Sequence, residues 1–114
     1  DLFPLKHTFA DNVYVRQMSM QQNSFLVGAI HKHEHVWFLL SGHITVVTED
    51  SIEEFIAPCY TVSKPGSKRV IFANVDSVFV NVHKNPDNTQ DIDTLDKQIV
   101  CDTWEEYNEY IKNK

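Results

Sequence analysis

Nine short segments rich in Val, Ile, Phe and Thr follow one another up to residue 84. Compact turns such as Ser41-Gly42 and Pro65-Gly66 separate them. Many short strands at a spacing of about 8–12 residues are typical of a sandwich or a rolled barrel, so the sequence predicts an all-β fold. The predicted strands are Leu5–Ala10, Val13–Met20, Phe25–His31, Val36–Leu40, His43–Thr48, Ile52–Ala57, Tyr60–Ser63, Lys68–Ala73 and Ser77–His83.

The end of the chain changes character. A chain of 114 residues is sufficient for one domain, and we expect the barrel to occupy 1–84 and a loop and helix to occupy 85–114 of that same domain. Thr103 and Glu106 form a capping box that predicts the start of the final helix. Trp104, Tyr107 and Ile111 then share one face, which we expect to pack on the barrel or on a second subunit. A weaker helical spacing joins the isoleucines and leucine of 92–99.

Charge and composition narrow the partners and the compartment. The formal net charge of −6 argues against nucleic acid, whose binders usually carry a clustered basic surface. No apolar run approaches the roughly 20 residues of a membrane span, so no membrane partner is expected. Cys59 and Cys101 lie far apart in the sequence, and we interpret them as free thiols of a reducing cytoplasm, although these spacings leave a disulfide open.

A histidine cluster is the one chemically distinctive feature of the sequence. His31, His33 and His35 alternate with other residues, so His31 and His35 can converge on one point inside a barrel. His33 has the same parity but would lie at the corner between strands. His83, at the end of its strand, is the best candidate for a third ligand. The other interpretation is a solvated hairpin tip without a ligand.

These residues are similar to the first motif of the cupin superfamily. That motif is a Gly, two histidines separated by one residue, a Glu, and a Gly seven residues after the Glu. With Gly42 as the last position, His35 stands at the Glu position, His31 at the second histidine and Ala29 at the first. The resemblance implies a cupin double-stranded β-helix, that is, a jelly-roll barrel, with a short C-terminal helix.

The second cupin motif is a Pro-x-Gly turn followed by a histidine, and residues 64–69 correspond to it. Arg69 stands where the histidine is expected. The usual four ligands are therefore incomplete, and a cation at the usual point would lie near a permanent positive charge if Arg69 points inward. Arg69 can instead reach outward, or bind a carboxylate or phosphate through its bidentate guanidinium.

Four stretches together narrow the resemblance to small uncharacterised cupin-like proteins of tailed bacteriophages and bacteria. They are residues 7–10, the stretch from His31 to Gly42, residues 57–58 with 64–70, and residues 76–83. His7, His31, His35 and His83 all fall within them. The resemblance implies a shared inward cluster and gives no established activity.

The sequence thus predicts a protein that binds a divalent metal or a small polar ligand in the barrel. The metal ligands would be His31, His35 and His83, the metal a transition ion such as Zn, Fe, Ni or Mn, and Arg69, His7 and His33 are further candidates for ligand binding. No complete catalytic motif is present, so catalytic residues stay unassigned. The alternative is a non-enzymatic oligomeric binding or assembly module of phage or bacterial origin, and a homodimer is expected.

Overall fold

The computed structural model describes residues 3–114, in which antiparallel strands predominate. Short strands arise where β-branched and aromatic residues alternate between turns. The strands are β1 (Leu5–Ala10), β2 (Val13–Met20), β3 (Phe25–Val27), β4 (Ile30–His31), β5 (His35–Ser41), β6 (His43–Val47), β7 (Ile52–Ile56), β8 (Cys59–Ser63), β9 (Val70–Ala73), β10 (Ser77–Lys84) and β11 (Val100–Cys101), and the helices are α1 (Ile92–Ile99) and α2 (Trp104–Lys112).

Two sheets enclose the core. One has the strand order β1-β2-β10-β5-β8, the other has the order β3-β9-β6-β7, and β11 pairs with β4 in a small third sheet. Both large sheets supply inward side chains to one apolar cluster: Met20, Trp37, Leu39 and Phe79 come from the first, and Ile44, Val46, Ile71 and Ala73 from the second. This architecture confirms the all-β fold predicted from the strand pattern and is the double-stranded β-helix that the resemblance implies.

The predicted strand Phe25–His31 is wrong as a single element. Residues 28–29 interrupt it, and the Gly28 amide donates to the Arg69 carbonyl oxygen at 2.9 Å. After the break, β4 pairs with β11 near the end of the chain instead of continuing the sheet. The predicted strand Lys68–Ala73 likewise begins later, at Val70, because residues 67–69, which follow the turn at Pro65-Gly66, have no regular structure. Both corrections reposition residues around the histidine cluster.

Helix α1 covers part of the first sheet. Its spacing of apolar residues buries Leu95 and Ile99 against the fully buried Tyr14 of β2. The segment after the barrel therefore contributes both a helix and a strand, β11, to the packing around the histidines. The weak helical spacing of 92–99 is confirmed as a helix.

Helix α2 begins at the predicted N-cap. The Thr103 hydroxyl oxygen accepts from the Glu106 amide at 3.1 Å, while the Glu106 carboxylate accepts from the amide of Asp102, one residue earlier than a capping box requires. Packing of its aromatic face on the barrel is confirmed only for one residue, and packing on a second subunit stays a prediction. Trp104 and Ile111 are 40% and 43% exposed, and Tyr107 alone of that face is half-buried, beside Gly66.

The two cysteines are free, with Cys59 half-buried and Cys101 buried. Within residues 3–114, neither helix is long and apolar enough to cross a membrane.

Candidate functional site

Three histidines from three strands meet inside the barrel. His35 begins β5 on the face that also carries Trp37 and Leu39, and His83 lies near the end of β10. His31 ends the short strand β4. The ring centre of His35 lies 4.5 Å from that of His31 and 4.5 Å from that of His83, while the other two centres are 6.1 Å apart. The structure therefore brings together the three predicted histidines.

Asn81 fixes the orientation of one of these rings. Its Oδ1 lies 2.8 Å from Nε2 of His35. Because an amide oxygen only accepts, Nε2 of His35 carries the proton and its Nδ1 presents a lone pair. Nδ1 of His35 and Nδ1 of His31 are both buried without a hydrogen-bond partner among the described residues, 3–114. The contact of Asn81 with His35 was not predicted from the sequence.

The three imidazoles are neutral at physiological pH. Burial, together with the charges of His35, Arg69 and Arg16, lowers the pKa of His31 to about 3. Burial likewise lowers the pKa of His83 to about 2, with help from the neighbouring histidines and arginines. Burial also lowers the pKa of His35, against the effect of its bond to Asn81. Neutral imidazoles offer lone pairs and N–H groups without adding charge.

Arg69 is a buried cation beside these histidines. Its side chain is 8% exposed, and its guanidinium carbon lies 5.5 Å from the ring centre of Trp37. Burial lowers the pKa of Arg69 to about 10, so the group remains charged at pH 7. No carboxylate forms an ion pair with it within residues 3–114. The sequence left the direction of Arg69 open, and the structure turns it inward.

A cavity of about 590 Å³ opens onto the site. His31, His83, Asn81 and Arg69 line its polar part. Its apolar wall consists of Met18, Leu26, Ile71 and Phe79, and the charged residues of its outer part include Asp93, Asp96, Lys97 and Asp102. The site is thus a polar pocket with an apolar wall and a largely acidic opening.

A second polar network lies behind His83, and its connectivity was missed by the sequence reasoning. The Tyr14 hydroxyl oxygen accepts from Nε of Arg16 at 2.7 Å, and because Arg16 can only donate, the hydroxyl proton is free to go to Nδ1 of His7 at 2.6 Å. Arg16 also pairs with Asp96 of α1 at 2.5 Å. Tyr14 lies directly opposite His83 in the β2–β10 register, so strand parity could have suggested their proximity.

Comparison with solved structures identifies the architecture. A cupin 2 domain-containing protein from Halorhodospira halophila superposes with a TM-score of 0.65 at 18% identity, over 83% of this chain and 74% of that one. The chain has the cupin fold. No protein-family model and no curated protein sequence matches it, so the likeness lies in structure.

Two further solved structures show the range of proteins that are similar to this chain in fold. An uncharacterized protein with a double-stranded beta-helix domain from Klebsiella pneumoniae gives a TM-score of 0.64 at 14% identity, covering 76% of this chain and 80% of that one. A salicylate 1,2-dioxygenase from Pseudoaminobacter salicylatoxidans, solved as adducts with gentisate, gives 0.66 at 9% identity. This chain, 75% of which is covered, spans only 25% of that enzyme. These neighbours are bacterial, and the narrower likeness to phage proteins stays a prediction.

The remaining candidate residues of the cupin barrel lie apart from the cluster. His33 lies between β4 and β5, at the corner that the sequence predicts, and it lines a different cavity with Lys32 and Tyr110. His7 is separated from His83 by the ring of Tyr14, whose centre lies 5.8 Å from one and 6.1 Å from the other. Neither reaches the pocket that His31 lines.

The three imidazoles are suitable metal donors, but their rings are not oriented with their nitrogens converging on one metal ion. Imidazole nitrogens around one zinc ion each lie about 2.0–2.1 Å from it. The rings of His31 and His83 instead lie nearly parallel, 25° apart, and His35 tilts between them. In the described part of the chain, no three His, Cys, Asp or Glu side chains are placed to hold a metal ion.

Proposed function

We propose that this cupin barrel binds a small organic or inorganic anion in the lumen, with Arg69 as its counterion. The observation that carries the proposal is the burial of Arg69 without an acidic partner. A buried charge is costly unless it is paired, and a guanidinium presents five N–H donors in a planar fork that fits a carboxylate or phosphate. A bound anion would supply that partner.

The histidines support the same conclusion. They are neutral, so they add hydrogen-bonding capacity without competing with Arg69 for the anion. His31, His83 and Asn81 line the cavity together with Arg69, so their side chains can hydrogen-bond a polar group of the ligand, while His35 does not line the cavity and is bonded to Asn81. The pocket can thus orient a ligand whose anionic group is bound by Arg69.

Calorimetric titration with acetate, benzoate and phosphate tests the proposal. We expect saturable binding of at least one of these probes, and a loss of at least tenfold in affinity for Arg69→Met, since removing one partner of a buried charge pair typically costs about 2–5 kcal/mol. Lys6→Met is the matched control, because it removes an exposed positive charge on β1 away from the pocket. Equal affinities for Arg69→Met and the wild-type protein would overturn the proposal.

A divalent metal held by His31, His35 and His83 is the second candidate. The observation in its favour is that Nδ1 of His31 and of His35 are both buried and unpartnered, with ring centres 4.5 Å apart. Binding would require the rings to rotate from their present angles, and Arg69 would oppose the added charge. Metal analysis after equilibration of untagged protein with Zn²⁺, with His31→Ala as the control variant, tests it. Metal bound equally by both proteins would exclude this ligand set.

A further inference from the structure

The cavity beside Arg69 has features that discriminate between kinds of anion. We propose that its ligand is a monocarboxylate with an apolar body, and not a phosphate or a dicarboxylate. This inference rests on the proposed function, since it assumes that Arg69 binds the anionic group. It adds the chemical class of the rest of the ligand.

The cation available to a ligand in this cavity is Arg69. Arg69 lies on the boundary of the cavity, more than nine-tenths buried, with no ion-pair partner in residues 3–114. The other arginine at the cavity, Arg16, is already bound to Asp96 and to the Tyr14 hydroxyl. One guanidinium is therefore available, and it can neutralise one carboxylate through a bidentate pair.

One wall of the cavity is apolar. Met18, Leu26, Ile71 and Phe79 line the same cavity as Arg69. Ile71 and Phe79 belong to the main core and are 4% and 3% exposed, while Met18 and Leu26 are partly buried against it. Apart from the weakly accepting sulfur of Met18, these side chains offer no hydrogen-bond partner to a polar ligand body. An apolar body gains free energy on leaving water here, in proportion to the area that it buries.

The outer part of the cavity carries mostly negative side chains. Asp93, Asp96 and Asp102 line the outer cavity with a single lysine, Lys97. Asp96 is paired with Arg16, which leaves two carboxylates against one ammonium. The chain as a whole carries a formal charge of −6. A second negative charge on the ligand would lie near these carboxylates without a cation to offset it, so a dicarboxylate or a phosphate dianion is disfavoured.

Titration of the intact protein with a matched ligand series tests the inference. The straight-chain acids from acetate to hexanoate add methylenes one at a time, benzoate and phthalate differ by one carboxylate, and inorganic phosphate is the polar reference. We expect affinity to rise by up to about fourfold for each methylene that enters the cavity. Benzoate should bind at least tenfold more tightly than phthalate or phosphate.

A pair of variants separates wall contacts from general effects. Met18→Gln replaces one apolar wall residue by a polar one of similar length, and we expect it to reduce the gain per methylene. Leu40→Gln makes a comparable change at a side chain that is 54% exposed and does not line the cavity, and should leave the series unchanged. An affinity that is flat along the series, or tighter for phosphate, with binding still lost in Arg69→Met, would overturn the inference and leave the proposed function standing. Binding that does not depend on Arg69 would overturn both.

Discussion

Arg69 is a buried charge that affects both its own pKa and the pKa of its neighbours. Its burial opposes its own charge, which is why its pKa falls, and the same charge lowers the pKa of each of the three histidines. Positive charges confined without an acidic partner destabilise a folded chain. A residue that costs stability and yet lies in a pocket is typical of a binding site in which stability is given up for function.

Replacing Arg69 should therefore separate stability from binding. We expect Arg69→Met to be at least as stable as the wild-type protein, or more stable by about 1 kcal/mol, because an apolar side chain of similar length removes an unpaired buried charge. Urea unfolding at pH 7 measures the free energy. A loss of more than about 2 kcal/mol would show that the guanidinium is structurally required, contrary to this account.

Stability should fall as the solution becomes acidic. The pKa of His31 falls to about 3 and that of His83 to about 2 in the folded protein, whereas an unfolded histidine has a pKa of about 6.5. Below about pH 6.5 the unfolded chain binds protons that the folded chain does not, so the free energy of unfolding decreases by up to about 1.4 kcal/mol per pH unit for each group. Urea unfolding at several pH values between 7 and 5 gives the free energy of unfolding as a function of pH. We expect this free energy to change less steeply with pH for His31→Gln than for the wild-type protein. Identical slopes would mean that His31 is already solvated.

At the scale of elements, alternation along the strands accounts for most of what the sequence could predict. It placed His83 on the same face as Phe79 and Asn81, and it set His35 inside the barrel. The break at residues 28–29 and the pairing of β4 with β11 could not be predicted, because they depend on contacts between residues about 70 positions apart. The bond of Tyr14 to His7 likewise follows from strand pairing, and no local pattern contains it.

The turn between β5 and β6 requires glycine. Gly42 has a φ of +98°, and a Cβ there would lie 2.1 Å from the Ser77 hydroxyl oxygen and 2.6 Å from the Asp76 carbonyl oxygen. We expect Gly42→Ala to lower the free energy of unfolding by about 2 kcal/mol or more, from strain and steric overlap together. Gly28→Ala is the matched control, since its Cβ would meet no atom closer than 3.4 Å. Thermal unfolding of both variants decides, and equal effects would contradict the argument.

At the scale of the whole molecule, the outer face of the five-stranded sheet is unusually apolar. In one row across its strands, Val62, Val36, Val82 and Val15 are neighbours in register. In the next row Phe38 lies between Tyr60 and Val80. Tyr60 and Val62 are 72% and 49% exposed. Antiparallel sheets with one face in water usually alternate apolar and polar residues, so this face is suited to contact with another surface.

The homodimer expected from the sequence stays a prediction, and this face is where we place it. A double variant, Tyr60→Lys with Val62→Lys, should convert a dimer into a monomer because it puts charges into an apolar contact. Ile52→Lys changes a side chain that is 75% exposed on the other sheet and serves as the control. Light scattering coupled to size exclusion gives the mass. A wild-type protein that is monomeric at a concentration of about 10⁻⁴ M would contradict the prediction.

Binding of an anion by Arg69 in the lumen can be observed at the guanidinium itself. The most direct measurement is the NMR signal of its side-chain Nε–H, assigned by its disappearance in Arg69→Met, during titration with benzoate. We predict a saturable shift of this signal, because the guanidinium is buried and without an acidic partner until the carboxylate enters. A signal that does not move while benzoate binds elsewhere, or while nothing binds, would contradict the account.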